Sequence, residues 1–172
     1  MPASSPRGRH RLIIAASDMR QVAEGARYLD ENKLLSKMPE EAARVMWTGL
    51  VVTYARPYIT SRGLGSVGGK LGKPADLALR TLHKNLLDRR DDLFAHNEAT
   101  EHRTVADVTQ RNPGHMVVLE WDSERGTTRF VETYVPMEFS VLPRIVELAE
   151  HQEERFLARV REIDEQLGRT QG

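Results

Sequence analysis

One leucine-rich stretch of the chain, residues 82–97, carries side chains suited to chemistry on phosphate esters. On a helix His83, Arg90 and Asn97 lie seven residues apart and share a face, and His96 lies one position beside it. An imidazole titrates near neutral pH and can move a proton. A guanidinium stabilises negative charge that develops on phosphate oxygens. When the 2′-hydroxyl of a ribose is the nucleophile, such a pair needs no metal ion.

The order of residues in this stretch resembles the core motif of the HEPN superfamily: an arginine, a polar residue, and a histidine after four to six intervening positions. Arg90, Asp91 and His96 fit this motif with five intervening residues. The context is also similar, because Tyr54-Ala55-Arg56-Pro57-Tyr58 ends a preceding helix and a loop then leads to the motif helix. The resemblance covers roughly residues 40–110 and is closest to small bacterial proteins related to abortive-infection systems.

The resemblance implies a function and a set of roles. Active members of the superfamily are metal-independent endoribonucleases that leave cyclic phosphate or 5′-hydroxyl ends, and some act as toxins or phage-defence effectors. They usually form homodimers in which the motifs of both subunits meet in a cleft. Carried over, His96 is the acid/base residue, Arg90 stabilises the phosphate and Asp91 orients the pair. Three further candidates for binding the substrate follow from helical geometry and neighbourhood: His83, Arg56 and Asn97. His83 taken alone is also typical of a half-buried packing residue.

Three other interpretations stay open. Several branches of the superfamily have lost activity, so the chain is alternatively a catalytically inactive dimeric binding module. The spacing itself is common here, since it also occurs at Arg89–His96 and Arg144–His151. In a second interpretation Arg90 belongs to a solvated run of charges, and His96 caps the end of its helix. A third interpretation is a bundle with a small-molecule pocket lined by Trp47, Tyr54 and Tyr58.

Nucleotide and metal sites find little support in the sequence. Gly63 to Gly68 matches G-x-G-x-x-G, but a dinucleotide site needs a strand before this motif and a helix directly after it. The histidines and acids that follow residue 95 lack the spacing of metal ligands. No cofactor and no metal are therefore predicted. Residues 61–74 are predicted to form a mobile surface loop whose basic side chains reach RNA phosphates.

The hydrophobic periodicity predicts a mainly α fold, a bundle of about four main helices with a β-hairpin inserted before the long C-terminal helix. Residues 1–10 are predicted to be a flexible tail, and residues 11–172 a single domain. Pro39 opens the second helix and Pro57 ends it. The predicted elements are helices at 12–35, 39–57, 74–97 and from 143 onward, and a hairpin at about 116–135.

Composition narrows the class of protein. The 172 residues contain no cysteine, and 25 basic residues balance 25 acidic ones. Cysteine-ligated metals, disulfides and thiol nucleophiles are thereby excluded, and a generic basic nucleic-acid coat is disfavoured. The N-terminus lacks the apolar run of a secretion signal, so we expect a cytoplasmic protein without a membrane span. The expected partners are a second copy of the chain, RNA, and a cognate antitoxin or defence-system protein.

Overall fold

A computed structural model describes residues 6–59, 65–95, 115–122, 126–134 and 139–170. The chain divides into two compact units, Met1–Leu93 with Phe139–Gly172, and Phe94–Glu138. The described elements are the helices α1 (Pro6–Glu31), α2 (Leu34–Lys37), α3 (Glu40–Ala55), α4 (Gly69–Gly72), α5 (Leu77–Ala95) and α6 (Leu142–Thr170), the strands β1 (His115–Asp122) and β2 (Thr127–Tyr134), and 3-10 turns at Arg56–Tyr58 and Phe139–Val141.

The first unit is built on the antiparallel pair of its two longest helices, α1 and α6. Both helices place apolar residues every three or four positions, and these side chains form the core: Leu12, Met19, Val22 and Ala26 on α1, and Ile145, Leu148, Phe156 and Ile163 on α6. Three ion pairs join the helices along their length: Arg9 with Asp164, Arg20 with Glu153, and Arg27 with Glu150. The residue numbers of the paired side chains rise along α1 while they fall along α6, so the ion pairs fix an antiparallel register.

Helix α1 begins earlier than the sequence predicts. Pro6 is its first residue, a position where proline is favoured because the missing N–H would have no partner within the helix. Arg9 Nη2 then donates a 3.0 Å hydrogen bond to Asp164 Oδ2. Residues 6–10 are therefore helical rather than part of the predicted tail, and residues 1–5 lie outside the described residues.

Helix α3 follows Pro39 and ends in a 3-10 turn that contains Pro57, as the two prolines predict. The second half of the helix is buried through Val51 and Tyr54. In the first half Val45 is 67% exposed and Met46 is also exposed, so the apolar residues of α3 are only partly buried.

The segment before α5 is packed against the bundle. Val67 is buried, and its N–H donates a 2.7 Å hydrogen bond to the carbonyl oxygen of Pro57. A Cβ at Gly72 would lie 2.8 Å from the carbonyl oxygen of Val67, which explains the glycine. Asp76 Oδ1 then accepts a 2.8 Å hydrogen bond from the N–H of Leu79 and caps α5. The predicted surface loop is thus ordered structure over residues 65–74, and residues 60–64 lie outside the description.

The second unit contains the two strands. They pair antiparallel, with His115 opposite Tyr134 and Asp122 opposite Thr127. The predicted mainly helical class rests on the first unit, whose described residues confirm a bundle of four long helices. The insertion of a hairpin into that bundle, and a single domain over residues 11–172, stay predictions.

Candidate functional site

The arginine and the acid of the predicted motif lie in the last two turns of α5. Arg90 Nη1 donates a 2.7 Å hydrogen bond to Asp91 Oδ1. The Arg90 side chain is 25% exposed, whereas Asp91 is largely in solvent. The two side chains that the resemblance pairs are thus in contact, one partly shielded by the bundle and the other facing water. His96 and Asn97 follow the helix and lie outside the described residues.

The neighbouring charges of α5 are arranged as separate pairs. Lys84 and Asp88, one turn apart, form an ion pair on the exposed surface. Asp88 therefore neutralises a lysine, while Asp91 is the carboxylate that Arg90 contacts.

His83, a predicted substrate-binding residue, lies in the core of the bundle. It is only 6% exposed, and its Nδ1 lies 2.7 Å from the hydroxyl oxygen of Tyr54. The ring of Tyr58 packs edge-on against the imidazole, with 4.7 Å between ring centroids. Burial lowers the pKa of His83 to about 4, and the charges of Lys73 and Arg155 add to the shift. His83 is consequently neutral at pH 7 and supports the helix from inside.

The polar network continues from Tyr58 to α6. Gln152 Nε2 donates to the Tyr58 hydroxyl at 2.8 Å and to the carbonyl oxygen of Gly72 at 3.1 Å. Arg155 Nη1 donates to Gln152 Oε1 at 2.6 Å and to the carbonyl oxygen of Lys73 at 2.7 Å. Burial raises the pKa of Tyr58 to about 12. The network ties α6 to the segment before α5 and so holds the base of the motif helix.

Arg56, the third described candidate for binding substrate, pairs with an acid that sequence reasoning missed. Arg56 Nη1 donates a 2.8 Å hydrogen bond to Asp18 Oδ1. The Arg56 side chain is 58% exposed, but that of Asp18 is 5% exposed. Burial raises the pKa of Asp18, and Arg56 opposes this shift. The only signal in the sequence is an acid set among the apolar positions of α1, next to Met19.

Gln152 was also missed as a polar group, although its position within the apolar stripe of α6 is evident from the sequence. A buried amide needs hydrogen-bond partners, and here the acceptors for its Nε2 come from residues 80 and 94 positions away, whereas its Oε1 accepts from Arg155 on the same helix. The small-molecule interpretation places Trp47, Tyr54 and Tyr58 around one pocket. In the structure Tyr54 is fully buried, and the Tyr58 hydroxyl is hydrogen-bonded to Gln152.

No group of three or more metal-ligating side chains lies together in the described part of the chain. Among its described helices, none combines the length and the apolar character that crossing a membrane requires.

Comparison with known proteins gives no match to a family model, to a curated protein or to a solved structure.

Proposed function

We propose that the chain is a metal-independent endoribonuclease of the HEPN type. The observation that supports this most is the contact between Arg90 and Asp91, the arginine and the polar residue of the motif, at the end of α5. Asp91 contacts Nη1 of the guanidinium, and the Arg90 side chain stays 25% exposed. An arginine held in this way loses less conformational freedom when it binds a phosphate.

The proposed reaction uses the RNA itself as nucleophile. His96 removes the proton of a 2′-hydroxyl, and this oxygen attacks the adjacent phosphorus. The bond from phosphorus to the 5′-oxygen breaks, and that oxygen takes a proton from the imidazolium. The products are a 2′,3′-cyclic phosphate and a 5′-hydroxyl, so neither water nor a redox partner is consumed. Arg90 neutralises the charge that grows on the non-bridging oxygens.

His83 has a positioning role in this proposal. Its ring is enclosed by Tyr54 and Tyr58 and is neutral at pH 7, so it does not contact the RNA. It lies two turns before Arg90 on the same face of α5. The buried ring fixes the rotation of the helix, and with it the direction in which the Arg90 side chain leaves the bundle.

The test is cleavage of total RNA in excess EDTA by the purified protein. Arg90→Ala and His96→Ala are expected to lose cleavage by at least a hundredfold, as removal of an acid/base or charge-stabilising group does. Arg89→Ala and Arg144→Ala are the matched controls, since both arginines share the spacing to a histidine. Equal cleavage by all variants would locate the activity elsewhere. Cleavage lost in the controls as well would contradict the role of Arg90.

The second candidate is a catalytically inactive binding module, possessing the same fold. Two neighbouring apolar residues in the first half of α3 favour it: Val45 and Met46 are exposed, and the Cβ position of Gly49 meets no atom within 4 Å. Exposed apolar faces mark interaction surfaces. A second copy of the chain is the expected partner, and an antitoxin or a defence-system protein is the alternative.

Light scattering after size-exclusion chromatography tests the dimer. The wild-type chain is expected to elute with twice its monomer mass, and Val45→Glu to elute as a monomer with unchanged helical content. A monomeric wild type would remove the self-association from this proposal. A dimer without RNA cleavage would favour the inactive module.

A further inference from the structure

The ion pair between Asp18 and Arg56 is unequal in its exposure. The carboxylate is buried in the bundle, and more than half of the arginine side chain is in solvent. Burying a carboxylate carries a desolvation cost, and an arginine at the surface compensates it only partly. An exposed lysine or arginine that served solubility alone would need no buried partner. The arrangement instead fixes one end of the guanidinium and presents the rest to solvent.

The turn that contains Arg56 is hydrogen-bonded to a segment that also lies close to a second arginine. Arg56 begins the 3-10 turn that ends α3, and the next residue, Pro57, accepts the hydrogen bond from Val67. The segment that contains Val67 also passes close to Arg11, whose Nη1 lies 3.2 Å from the position a Cβ at Gly65 would occupy.

Arg11 and Asp18 are seven residues apart on α1, and therefore on one face of that helix, about 10 Å apart along its axis. The backbone of residues 65–67 thus connects the surroundings of Arg11 to those of Arg56. The result is a surface with two arginines, in which Arg56 is the more exposed.

The geometry points to a binding site for an RNA phosphodiester at Arg56, with Asp18 as the residue that positions the guanidinium and Arg11 as a flanking cation. This inference rests on the proposed RNA substrate, but it concerns binding and not cleavage. A phosphate oxygen is the ligand that suits a guanidinium, and the Arg56 side chain is 58% exposed to solvent. Asp18 acts only through Arg56, since its carboxylate is buried and negatively charged groups repel RNA.

The change in RNA affinity caused by Asp18→Asn has opposite signs if Asp18 positions Arg56 and if Asp18 acts only through its charge. If Asp18 were only a negative charge near the RNA, Asp18→Asn would strengthen binding by removing repulsion. If Asp18 positions Arg56, the same substitution weakens binding, because the amide holds the guanidinium less firmly than the carboxylate does. Glu24→Gln is the matched control, as it neutralises an exposed acid on the same helix. It is expected to leave affinity unchanged or slightly higher.

The experiment measures fluorescence anisotropy of a labelled, fully 2′-O-methylated RNA oligomer, which lacks the nucleophile and is not cleaved. Arg56→Ala is expected to weaken binding roughly fivefold and to lower the slope of log K against log[salt] by about one, the signature of one lost phosphate contact. Asp18→Asn should weaken binding in the wild-type background and have no further effect in Arg56→Ala. Arg56→Lys should recover the salt slope but only part of the affinity. Circular dichroism confirms that each variant is folded.

A failure of this binding site and a failure of the proposed catalysis give different results in the binding experiment and the nuclease assay. Binding that depends on Arg56 and Asp18, without cleavage in the nuclease assay, would uphold this site and refute the endoribonuclease. Wild-type protein that does not bind the oligomer would overturn the site. Tighter binding by Asp18→Asn, or an unchanged affinity of Arg56→Ala, would also overturn it and leave a structural ion pair.

Discussion

Acidification should destabilise the bundle through His83. The ring is buried beside Tyr54 and Tyr58, and its pKa is lowered to about 4, whereas an unfolded histidine titrates at about 6.5. The unfolded chain therefore binds a proton that the folded chain refuses. The contribution of His83 to the free energy of unfolding is complete above pH 6.5. It falls as the pH drops toward 4 and does not change further below pH 4.

The size of the effect follows from the two pKa values. A difference of about 2.5 units corresponds to roughly 3 kcal/mol of unfolding free energy as an upper bound. Asp18 acts in the opposite direction, because its raised pKa means that the folded state accepts a proton more readily as the pH falls. The contribution of His83 must therefore be measured as a difference between two proteins.

The assay is urea unfolding of wild type and His83→Asn from pH 7.5 to pH 4. Asparagine retains a hydrogen-bonding group near Nδ1 but does not titrate. We expect the variant to be less stable at pH 7.5, owing to the smaller side chain, and to lose less stability on acidification. The gap between the two proteins should narrow by about 2–3 kcal/mol. A gap that stays constant across this range would refute the burial argument for His83.

Two further substitutions probe the packing beneath the site. Gly72→Ala should destabilise the fold by about 1–3 kcal/mol, because its Cβ would meet the carbonyl oxygen of Val67 at 2.8 Å; thermal unfolding measures this, and an unchanged midpoint would contradict the close contact. Arg56→Ala should cost roughly 1–3 kcal/mol at pH 7, since it leaves the Asp18 carboxylate buried without its cation, and the loss should shrink at acid pH as that carboxyl group protonates. Denaturant unfolding at pH 7 and pH 4 checks the second expectation, which a loss independent of pH would oppose.

The sequence predicted the elements better than the contacts between them. The long helices follow from local spacing, and the prolines at 39 and 57 mark the bounds of α3. Arg56 was a candidate because of its neighbourhood, but its partner Asp18 lies 38 residues earlier, and no local pattern connects them. Gln152 was visible within an apolar stripe, while its partners depend on how α6 meets the segment before α5. Such pairings are decided by tertiary packing.

His83 shows the limit of a helical face as evidence. Its seven-residue spacing from Arg90 correctly places both on one side of α5, yet the bundle covers that side near His83 and leaves it partly open at Arg90. The catalytic assignment of His96 and the substrate-binding assignment of Asn97 stay predictions, as both residues fall outside the described part of the chain.

The pairing of α1 with α6 has a consequence for how the protein is made. Helix α1 ends at Glu31 and α6 begins at Leu142, so the ribosome synthesises roughly 110 residues after α1 before its main partner starts to emerge. At bacterial and eukaryotic elongation rates this delay is about 5–20 s. During that time the apolar stripe of α1 is covered only in part, by α2, by α3 and by the 3-10 turn at Arg56–Tyr58. The main helix pair of the first unit therefore cannot form until α6 has been synthesised.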